Sequence, residues 1–525
     1  MLILITFAVV TGCGKQKGDS IEAASKRLAK GDYEGAITIL DQIIQATPSD
    51  TTALLMRAKA RQALEQWSSA VGDYNEAVRI NPDSWEVWAG RGRFYAELQD
   101  CSAALEDLHK AAELNPQSAS IMVSLGLVYL SVKDTTKAKA CFDKARALDD
   151  REEGAYFGNA AVFIEEKRYK DAAAEMDALL KIAPKNAEAV FRRGYAYLRD
   201  GNISKALLDF NKSLELDPNM REVYWYRAEA YWAACEPEKS LRDYKILEQS
   251  NPNDPVLYLN KASILTLLGR YSEAVTNLRR SILLDPENPR PYIDRAMLYM
   301  GSGSLLSALR DINKALSLQP EDPWLLVKRA KIFKLMARGD RALEDLNRSL
   351  ELDSSNAEAR LLRGSIFFCD HDVDRAIEDL EEAMRLLPDN PAPYQLMAEA
   401  LLRKHEHAQA LDMVGKALEK DSSYVPAFLT MAEIHIADSH IERAIEAYSR
   451  ALSIDPNDFE ARMRRAKLFI EIHDIPKAIS DLDAAAKANP YSGELYLLRS
   501  QCYEMVGEQE RARQDSWRAR VFAGR

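Results

Sequence analysis

The sequence predicts an all-α solenoid of antiparallel helix pairs, and three observations predict it. Prolines recur at intervals of 34 residues or multiples of 34, in a series of ten from Pro82 to Pro490. Small residues and large rings hold fixed places within the same period. Apolar side chains in each period follow the i, i+4, i+7 spacing of a buried helix face. A fixed period of this length indicates stacked helical units rather than separate globular domains.

The register begins at Lys17 and gives fifteen consecutive units of 34 residues, the last one residue short at Arg525. No insertion or deletion is needed. Position 8 of each unit is small and position 20 is nearly always alanine, so the two helices can approach closely. Positions 11 and 24 carry bulky groups that fill the space beside them. The proline ends the second helix, because it lacks an N–H and disfavours helical geometry in the residue before it.

These residues resemble the tetratricopeptide repeat, whose pattern is W-x₂-L-G-x₂-Y, then A-x₃-F, then P. The third unit matches through Trp88, Gly92, Tyr95, Ala104 and Pro116. The resemblance covers residues 17–525 and implies a right-handed superhelical solenoid with a concave groove lined by the first helices. Members of the family are interaction scaffolds. The strongly polar last helix is expected to cap the solenoid.

The N-terminus differs from the repeats. An apolar run over residues 2–10 leads into a VTGC motif ending at Cys13, which resembles the bacterial lipobox. The resemblance implies a cleaved signal peptide over residues 1–12, a lipid-modified Cys13 and a short linker over 13–16. No Lys or Arg precedes the apolar run, which departs from the usual signal. An apolar first helix with an incidental cysteine is the open alternative.

Composition argues against several function classes. The formal net charge of −11 disfavours nonspecific nucleic-acid binding, which needs a basic face. No apolar run is long enough to span a membrane. No CxxC, nucleophile, phosphate-binding or metal-binding motif occurs, so we expect no enzyme activity, no cofactor and no metal. Four histidines fall at or beside the turn within successive units and are expected to be polar turn residues: His371, His405, His440 and His473.

Arginine at position 7 and aspartate at position 23 occur together. The same nine units carry both residues, and units that lack the arginine also lack the aspartate. We therefore predict a bidentate ion pair between the two helices of each unit; a basic stripe for an acidic ligand is the alternative. The pairs are Arg57–Asp73, Arg91–Asp107, Arg193–Asp209, Arg227–Asp243, Arg295–Asp311, Arg329–Asp345, Arg363–Asp379, Arg465–Asp481 and Arg499–Asp515.

The groove is the candidate binding site. In the family, positions 2, 5, 9, 12 and 13 of the first helices line the concave face. Aromatic rings with nearby charges gather there in units five to seven, and a lysine strip lies in unit ten. Ligand contact and simple packing or solvation are both open for them. The residues are Phe157, Phe191, Tyr195, Trp225, Tyr226, Glu229, Trp232, Lys328, Lys331 and Lys334.

The sequence therefore predicts a non-enzymatic scaffold for partner proteins or peptides, anchored by lipid to a bacterial envelope membrane. The glycine after Cys13 favours the periplasmic side of the outer membrane in a Gram-negative host. Assembly of an envelope complex is an analogy from fold. A soluble cytosolic adaptor or co-chaperone without an anchor is the alternative, and it suits five further cysteines that show no pairing pattern. The sequence leaves the oligomeric state open.

Overall fold

The computed structural model describes residues 20–522, which form thirty α-helices and contain no strand. The chain divides into two compact units, the first ending at Leu257 and the second beginning at Tyr258. Each unit is a run of antiparallel helix pairs, one pair per 34-residue repeat, which confirms the predicted fold class. From the second repeat onward every first helix has 13 residues, and every second helix of the chain has 14.

The first unit contains the first seven repeats. Its first helix, α1, covers residues 20–29. The helices that follow are α2 (Tyr33–Ala46), α3 (Thr51–Ala63), α4 (Trp67–Ile80), α5 (Trp85–Glu97), α6 (Cys101–Leu114), α7 (Ala119–Ser131), α8 (Thr135–Leu148), α9 (Glu153–Glu165), α10 (Tyr169–Ile182), α11 (Ala187–Arg199), α12 (Ile203–Leu216), α13 (Arg221–Ala233) and α14 (Pro237–Ser250).

The second unit contains the remaining repeats, and the boundary falls within its first helix, α15 (Pro255–Leu267). The helices that follow are α16 (Tyr271–Leu284), α17 (Pro289–Gly301), α18 (Leu305–Leu318), α19 (Pro323–Leu335), α20 (Gly339–Leu352), α21 (Ala357–Cys369), α22 (Val373–Leu386), α23 (Pro391–Arg403), α24 (His407–Lys420), α25 (Val425–Ala437), α26 (Ile441–Ile454), α27 (Phe459–Glu471), α28 (Ile475–Ala488), α29 (Gly493–Met505) and α30 (Gln509–Phe522).

The turn inside each repeat is a Schellman motif. In the third repeat Gln99 N donates to Ala96 O, and Asp100 N donates to Tyr95 O. Position 15 has a positive φ in all fifteen repeats, and ten of these residues are not glycine. The sequence shows a turn at this place but not this backbone requirement. Three of the four turn histidines, His371, His405 and His473, occupy it with φ of 61–64°.

The connection between repeats satisfies the exposed helix ends. The C-cap N–H of a second helix bonds four residues back, as in Asn81 N to Ala77 O. The next first helix begins at an N-cap whose side chain often accepts from the helix, as Asn186 accepts from Ala189 N. The proline lies between these two points. It therefore ends one helix without removing a bond from the next.

Small residues let the helices of a pair approach closely. A Cβ added at Gly126 in position 8 would lie 2.5 Å from the Phe142 ring, so that place admits only glycine without a shift. Alanines at position 20, such as Ala138, are fully buried. The core consists of successive clusters along each unit rather than one centre, because each repeat packs mainly on its neighbours. None of the helices in residues 20–522 is long and apolar enough to cross a membrane.

Candidate functional site

The structure brings together the arginine and aspartate of all nine repeats. In the seventh repeat Arg227 Nε lies 2.8 Å from Asp243 Oδ2, and Nη2 lies 2.7 Å from Oδ1. Asp243 is only 3% exposed. The same two-bond geometry recurs in the other eight repeats. The aspartate of each repeat neutralises the arginine charge, so the ion pair joins the two helices. Little free positive charge is left for an acidic ligand to bind.

The third guanidinium nitrogen makes a contact that sequence reasoning missed. Arg227 Nη1 donates to Asn211 Oδ1 at 2.8 Å, and Asn211 is position 25 of the preceding repeat. Eight of the nine arginines make this bond, to Asp, Asn or Ser. The ninth, Arg295, follows a repeat with Arg279 at position 25. The arginine therefore joins neighbouring repeats as well as the two helices of its own.

An aromatic cluster lies on the first-helix face of repeats six and seven, and we define it as Tyr195, Arg199, Trp225, Tyr226 and Glu229. The rings of Tyr195 and Tyr226 meet edge to face at 4.8 Å. Arg199 lies 5.1 Å from the Tyr195 ring centre and forms an ion pair with Glu229 at 2.8 Å. Burial raises the pKa of Tyr226, so this phenol stays neutral. The cluster is a partly buried aromatic surface with one balanced ion pair.

A pocket of about 290 Å³ opens beside this cluster between α13, the end of α14 and the first residues of α15. Ser250, one of the lining residues, occupies position 30, where ten other repeats carry Leu or Ile. Its side chain is shorter than either of these. Apolar and polar groups share the wall, which suits an amphipathic side chain. The lining residues are Arg221, Glu222, Trp225, Tyr226, Leu247, Ser250, Asn251, Asp254 and Leu257.

A second site, which we call the polar pocket, lies on the first-helix face of repeats twelve to fourteen. It has a volume of about 150 Å³ and contains three carboxylates and one guanidinium. Burial raises the pKa of Glu399, and the charge of Glu433 acts in the same direction. The sequence does not reveal this site, because four helices from three repeats build it. The lining residues are Gln395, Glu399, Pro426, Leu429, Thr430, Glu433, Tyr448, Glu460, Ala461 and Arg464.

Family models described as Tetratricopeptide repeat match this arrangement of helix pairs. One model covers more than half of the chain, and two others extend the matched region to residue 468. The chain belongs to the tetratricopeptide repeat family. The first model matches residues 21–84, 55–119, 123–187, 157–221, 191–255 and 336–391. The others match residues 256–288, 370–431 and 401–468. Protein–protein interaction is the function that suits such a repeat scaffold.

Solved structures align with the chain at low sequence identity and low structural similarity. The Cut9–Hcn1 hetero-tetramer of the APC/C aligns at 16% identity and a TM-score of 0.43, over 87% of this chain and 97% of that one. Yeast Tom70 aligns at 18% and 0.40, over 83% and 96%. A tetratricopeptide repeat protein from Parabacteroides merdae aligns at 21% and 0.37, over 47% and 97%. No curated protein matches the chain.

Not every ring predicted for the tetratricopeptide groove lines it. Phe191 is 2% exposed and packs against Phe210 and Tyr226, so its expected place on the face is corrected. The physical reason is that Tyr226 of the next repeat covers the Phe191 ring. Phe157 is partly buried beneath Arg192. Trp232 is 39% exposed and remains an open ring near the end of α13.

The lysines of the tenth repeat are engaged within the chain. Lys328 and Lys331 both donate to Glu358, and Lys334 donates to Ser365 Oγ at 2.7 Å. Burial opposes ionisation of Glu358, but hydrogen bonds from both lysines outweigh it and lower its pKa. The lysines join successive first helices. Of the two alternatives left open for these lysines, contact with an acidic ligand and simple solvation, the structure shows neither: Lys328 and Lys331 bind an acidic side chain of the chain itself.

Two further features bear on the chemistry of the described chain. In residues 20–522 no group of three or more His, Cys, Asp or Glu side chains is arranged to hold a metal ion. The cysteines in that range are unpaired thiols: Cys101, Cys141, Cys235, Cys369 and Cys502. Cys13 and the predicted signal peptide lie outside the described residues.

Proposed function

We propose that the chain is a non-enzymatic scaffold that binds a partner protein or peptide at the aromatic cluster of repeats six and seven. The observation that carries the proposal is the pocket that Trp225, Tyr226 and Ser250 line. Rigid aromatic rings beside a pocket are effective anchors, because they bury a large area with few torsions to restrict. The Arg199–Glu229 pair supplies polar contacts at the rim.

The chemistry of the pocket defines the segment that it accepts. Its wall joins the Trp225 and Tyr226 rings to Arg221, Glu222 and the Asp254 end of the connection. An apolar or aromatic side chain with a polar end fits this mixture. The backbone of the partner segment on either side of that side chain can then hydrogen-bond to the charged residues at the rim of the pocket. We propose that this surface holds one large side chain of an extended partner segment.

Crosslinking in the native host followed by mass spectrometry identifies the partner, and variants of the full chain test the site. We expect Trp225→Ala with Tyr226→Ala to abolish capture, because both pocket walls are lost. Trp517→Ala is the matched control, since Trp517 is 65% exposed on α30 and belongs to no pocket described above. Unchanged capture by the double variant, with its helix content preserved by circular dichroism, rejects the site.

We also propose that a lipid on Cys13 anchors the scaffold to a bacterial envelope membrane, on the periplasmic side of the outer membrane in a Gram-negative host. The proposal rests on the VTGC motif that follows an apolar run. A lipidated scaffold at a membrane suits the assembly of an envelope complex. Detergent phase partition compares wild type with Cys13→Ser: the wild type is expected in the detergent phase and the variant in the aqueous phase. Aqueous partition of both supports the cytosolic adaptor instead.

A further inference from the structure

The polar pocket is lined by buried polar groups from successive repeats. Gln395 is 6% exposed, Thr430 is 1% exposed and Tyr448 is fully buried. Gln395 Nε2 donates to Glu399 Oε1 at 2.7 Å and to Thr430 Oγ1 at 2.9 Å. Buried hydrogen-bonded groups of this kind hold one another in fixed positions. The site is therefore built in advance of any ligand.

The hydroxyl of Tyr448 has no hydrogen-bond partner among residues 20–522, although the atom is fully buried in the pocket wall. Tyr74 occupies the same repeat position, and its hydroxyl donates to Gln62 Oε1 at 3.1 Å. Burial raises the pKa of Tyr448 and Arg464 opposes that rise, so the phenol stays neutral and its oxygen can accept a hydrogen bond. A buried oxygen that accepts no hydrogen bond costs free energy, so it points to a ligand that donates one.

The charges of the pocket define that ligand. Arg464 pairs with Glu433 at 2.5 Å and with Glu460 at 2.8 Å. Glu399 forms no ion pair within the described chain, and its neighbours Gln395 and Thr430 are neutral. Arg403, one turn along α23, is engaged with the carbonyl oxygen and ring of Phe368. Three carboxylates thus face one guanidinium, and the surplus is negative.

The shape of the pocket favours an ammonium group over a guanidinium. Leu429, Pro426 and Ala461 give part of the wall an apolar lining, which suits a methylene stem. An ammonium group is a compact point charge with three rotatable donors. It can bond to oxygens that do not lie in one plane, such as those of Glu399, Thr430 and Tyr448. A guanidinium bonds most strongly to two coplanar oxygens, and Gln395 already occupies one oxygen of Glu399.

We propose that the polar pocket binds the ammonium group of a lysine side chain of the partner, with Glu399 as its counter-ion and the Tyr448 and Thr430 oxygens as acceptors. This inference rests on the proposed scaffold function and adds a second, chemically different contact to it. The aromatic cluster takes a large ring or apolar side chain, whereas this pocket takes a positive charge.

The test uses n-butylammonium, the lysine side chain without its backbone, and n-butanol as its neutral isostere. Both are titrated into the full chain with ¹³C-labelled Leu and Thr methyl groups, and the Thr430 and Leu429 methyl signals are followed by NMR. We expect a saturable shift with n-butylammonium and none with n-butanol. Equal shifts with both probes, or no saturable shift with either, overturn the proposal.

Variants assign the binding to named groups. Glu399→Gln should weaken n-butylammonium binding by at least roughly tenfold, because a hydrogen bond to a charged group is lost. Tyr448→Phe should weaken it several-fold. Glu419→Gln, an exposed carboxylate on α24, should leave it unchanged. Unaltered binding by Glu399→Gln overturns the proposal, and the two-probe comparison on wild type decides the matter if that variant does not fold.

The two proposals fail separately. If n-butylammonium binds at Thr430 but the Trp225 and Tyr226 variants still capture the partner, only the aromatic site is rejected. If the probe does not bind while those variants lose the partner, only the lysine pocket is rejected.

Discussion

The seventh repeat (residues 221–254) and the thirteenth repeat (residues 425–458) share the frame, by which we mean the residues that pack the two helices of a repeat. They differ in the residues on the face of the first helix. Both have alanine at position 8, tyrosine at position 24 and a positive φ at position 15. At positions 7 and 23 the seventh has the Arg227–Asp243 pair, whereas the thirteenth has Met431 and Ala447. At positions 5, 6 and 9 the seventh repeat has Trp, Tyr and Glu, whereas the thirteenth repeat has Leu, Thr and Glu.

The difference separates the residues that fold a repeat from those that bind. The helix pair forms with an ion pair or with apolar residues between its helices, because either satisfies the space at positions 7 and 23. The first-helix face then varies without changing the helix bounds, which stay at 13 and 14 residues. One frame therefore carries an aromatic cluster in one repeat and a polar pocket in another.

The largest expected effect comes from breaking the ion pair of the seventh repeat. Arg227→Met leaves the buried Asp243 carboxylate without its cation, and we expect local stability to fall by about 3–5 kcal/mol. Arg227→Met with Asp243→Ala reproduces the thirteenth repeat and should restore most of that loss. Native-state hydrogen exchange of the α13 and α14 amides measures both.

The exposed Arg242 on α14 provides the control for that experiment. Arg242→Met should change local stability by no more than about 0.5 kcal/mol. If the double variant is as unstable as Arg227→Met alone, the two repeats are not interchangeable at these positions, and the contact of Arg227 with Asn211 carries more of the stability than the pair does.

The sequence predicts the residues of the frame well and the binding residues on the first-helix face poorly, for a physical reason. Frame residues recur fifteen times, so repetition separates them from chance. A residue on the first-helix face depends on its neighbours: Phe191 and Trp225 share position 5, yet Tyr226 covers the first and the second lines a pocket. The polar pocket requires three repeats at once. The position 25 contact was visible in the sequence as Asp, Asn or Ser sixteen residues before most of the arginines.

The tyrosines at position 24 differ in whether their hydroxyl group has a hydrogen-bond partner. Burial raises the pKa of Tyr74 to about 12, and its hydroxyl bonds to Gln62. Tyr74→Phe should cost about 1 kcal/mol, because a satisfied bond is lost. Tyr448→Phe should stabilise the thirteenth repeat by up to about 1 kcal/mol, because it removes a hydroxyl that has no partner in the described chain. Hydrogen exchange of the α4 and α26 amides measures the two changes in stability. Equal losses of stability in the two variants contradict the predicted difference.

Position 15 should behave alike in both repeats. Cys235 and Ser439 have φ of 58° and 59°, a region that costs a non-glycine residue about 1 kcal/mol. Cys235→Gly and Ser439→Gly should each stabilise the local helix pair by less than about 1 kcal/mol, since glycine relieves strain but loses more entropy on folding. Gly201→Ala should cost a similar amount. Thermal unfolding of the three variants measures these changes in stability. A loss of stability in Cys235→Gly or Ser439→Gly contradicts the prediction.

The smallest effect concerns two glutamates that share position 9. Burial first, and then the Glu433 charge, raise the pKa of Glu399 above its ordinary value of 4.5, while hydrogen bonds from Gln395 and Thr430 and the charge of Arg403 oppose the shift. The folded state therefore binds more protons than the unfolded state, so stability falls as the pH rises from the ordinary value through the raised one. Glu399→Gln should remove this loss and stabilise the twelfth repeat near neutral pH but not below pH 4.5.

The effect of Glu399→Gln is small because the carboxylate is only partly buried and water screens it. Glu229 in the seventh repeat supplies the matched control, since it pairs with Arg199 at 2.8 Å. Glu229→Gln breaks that pair and should destabilise by no more than about 1 kcal/mol near neutral pH. The two substitutions thus have opposite signs at one repeat position. Urea unfolding at neutral and acidic pH measures both, and a destabilising Glu399→Gln at neutral pH means that its carboxylate is already compensated by a charge of the fold.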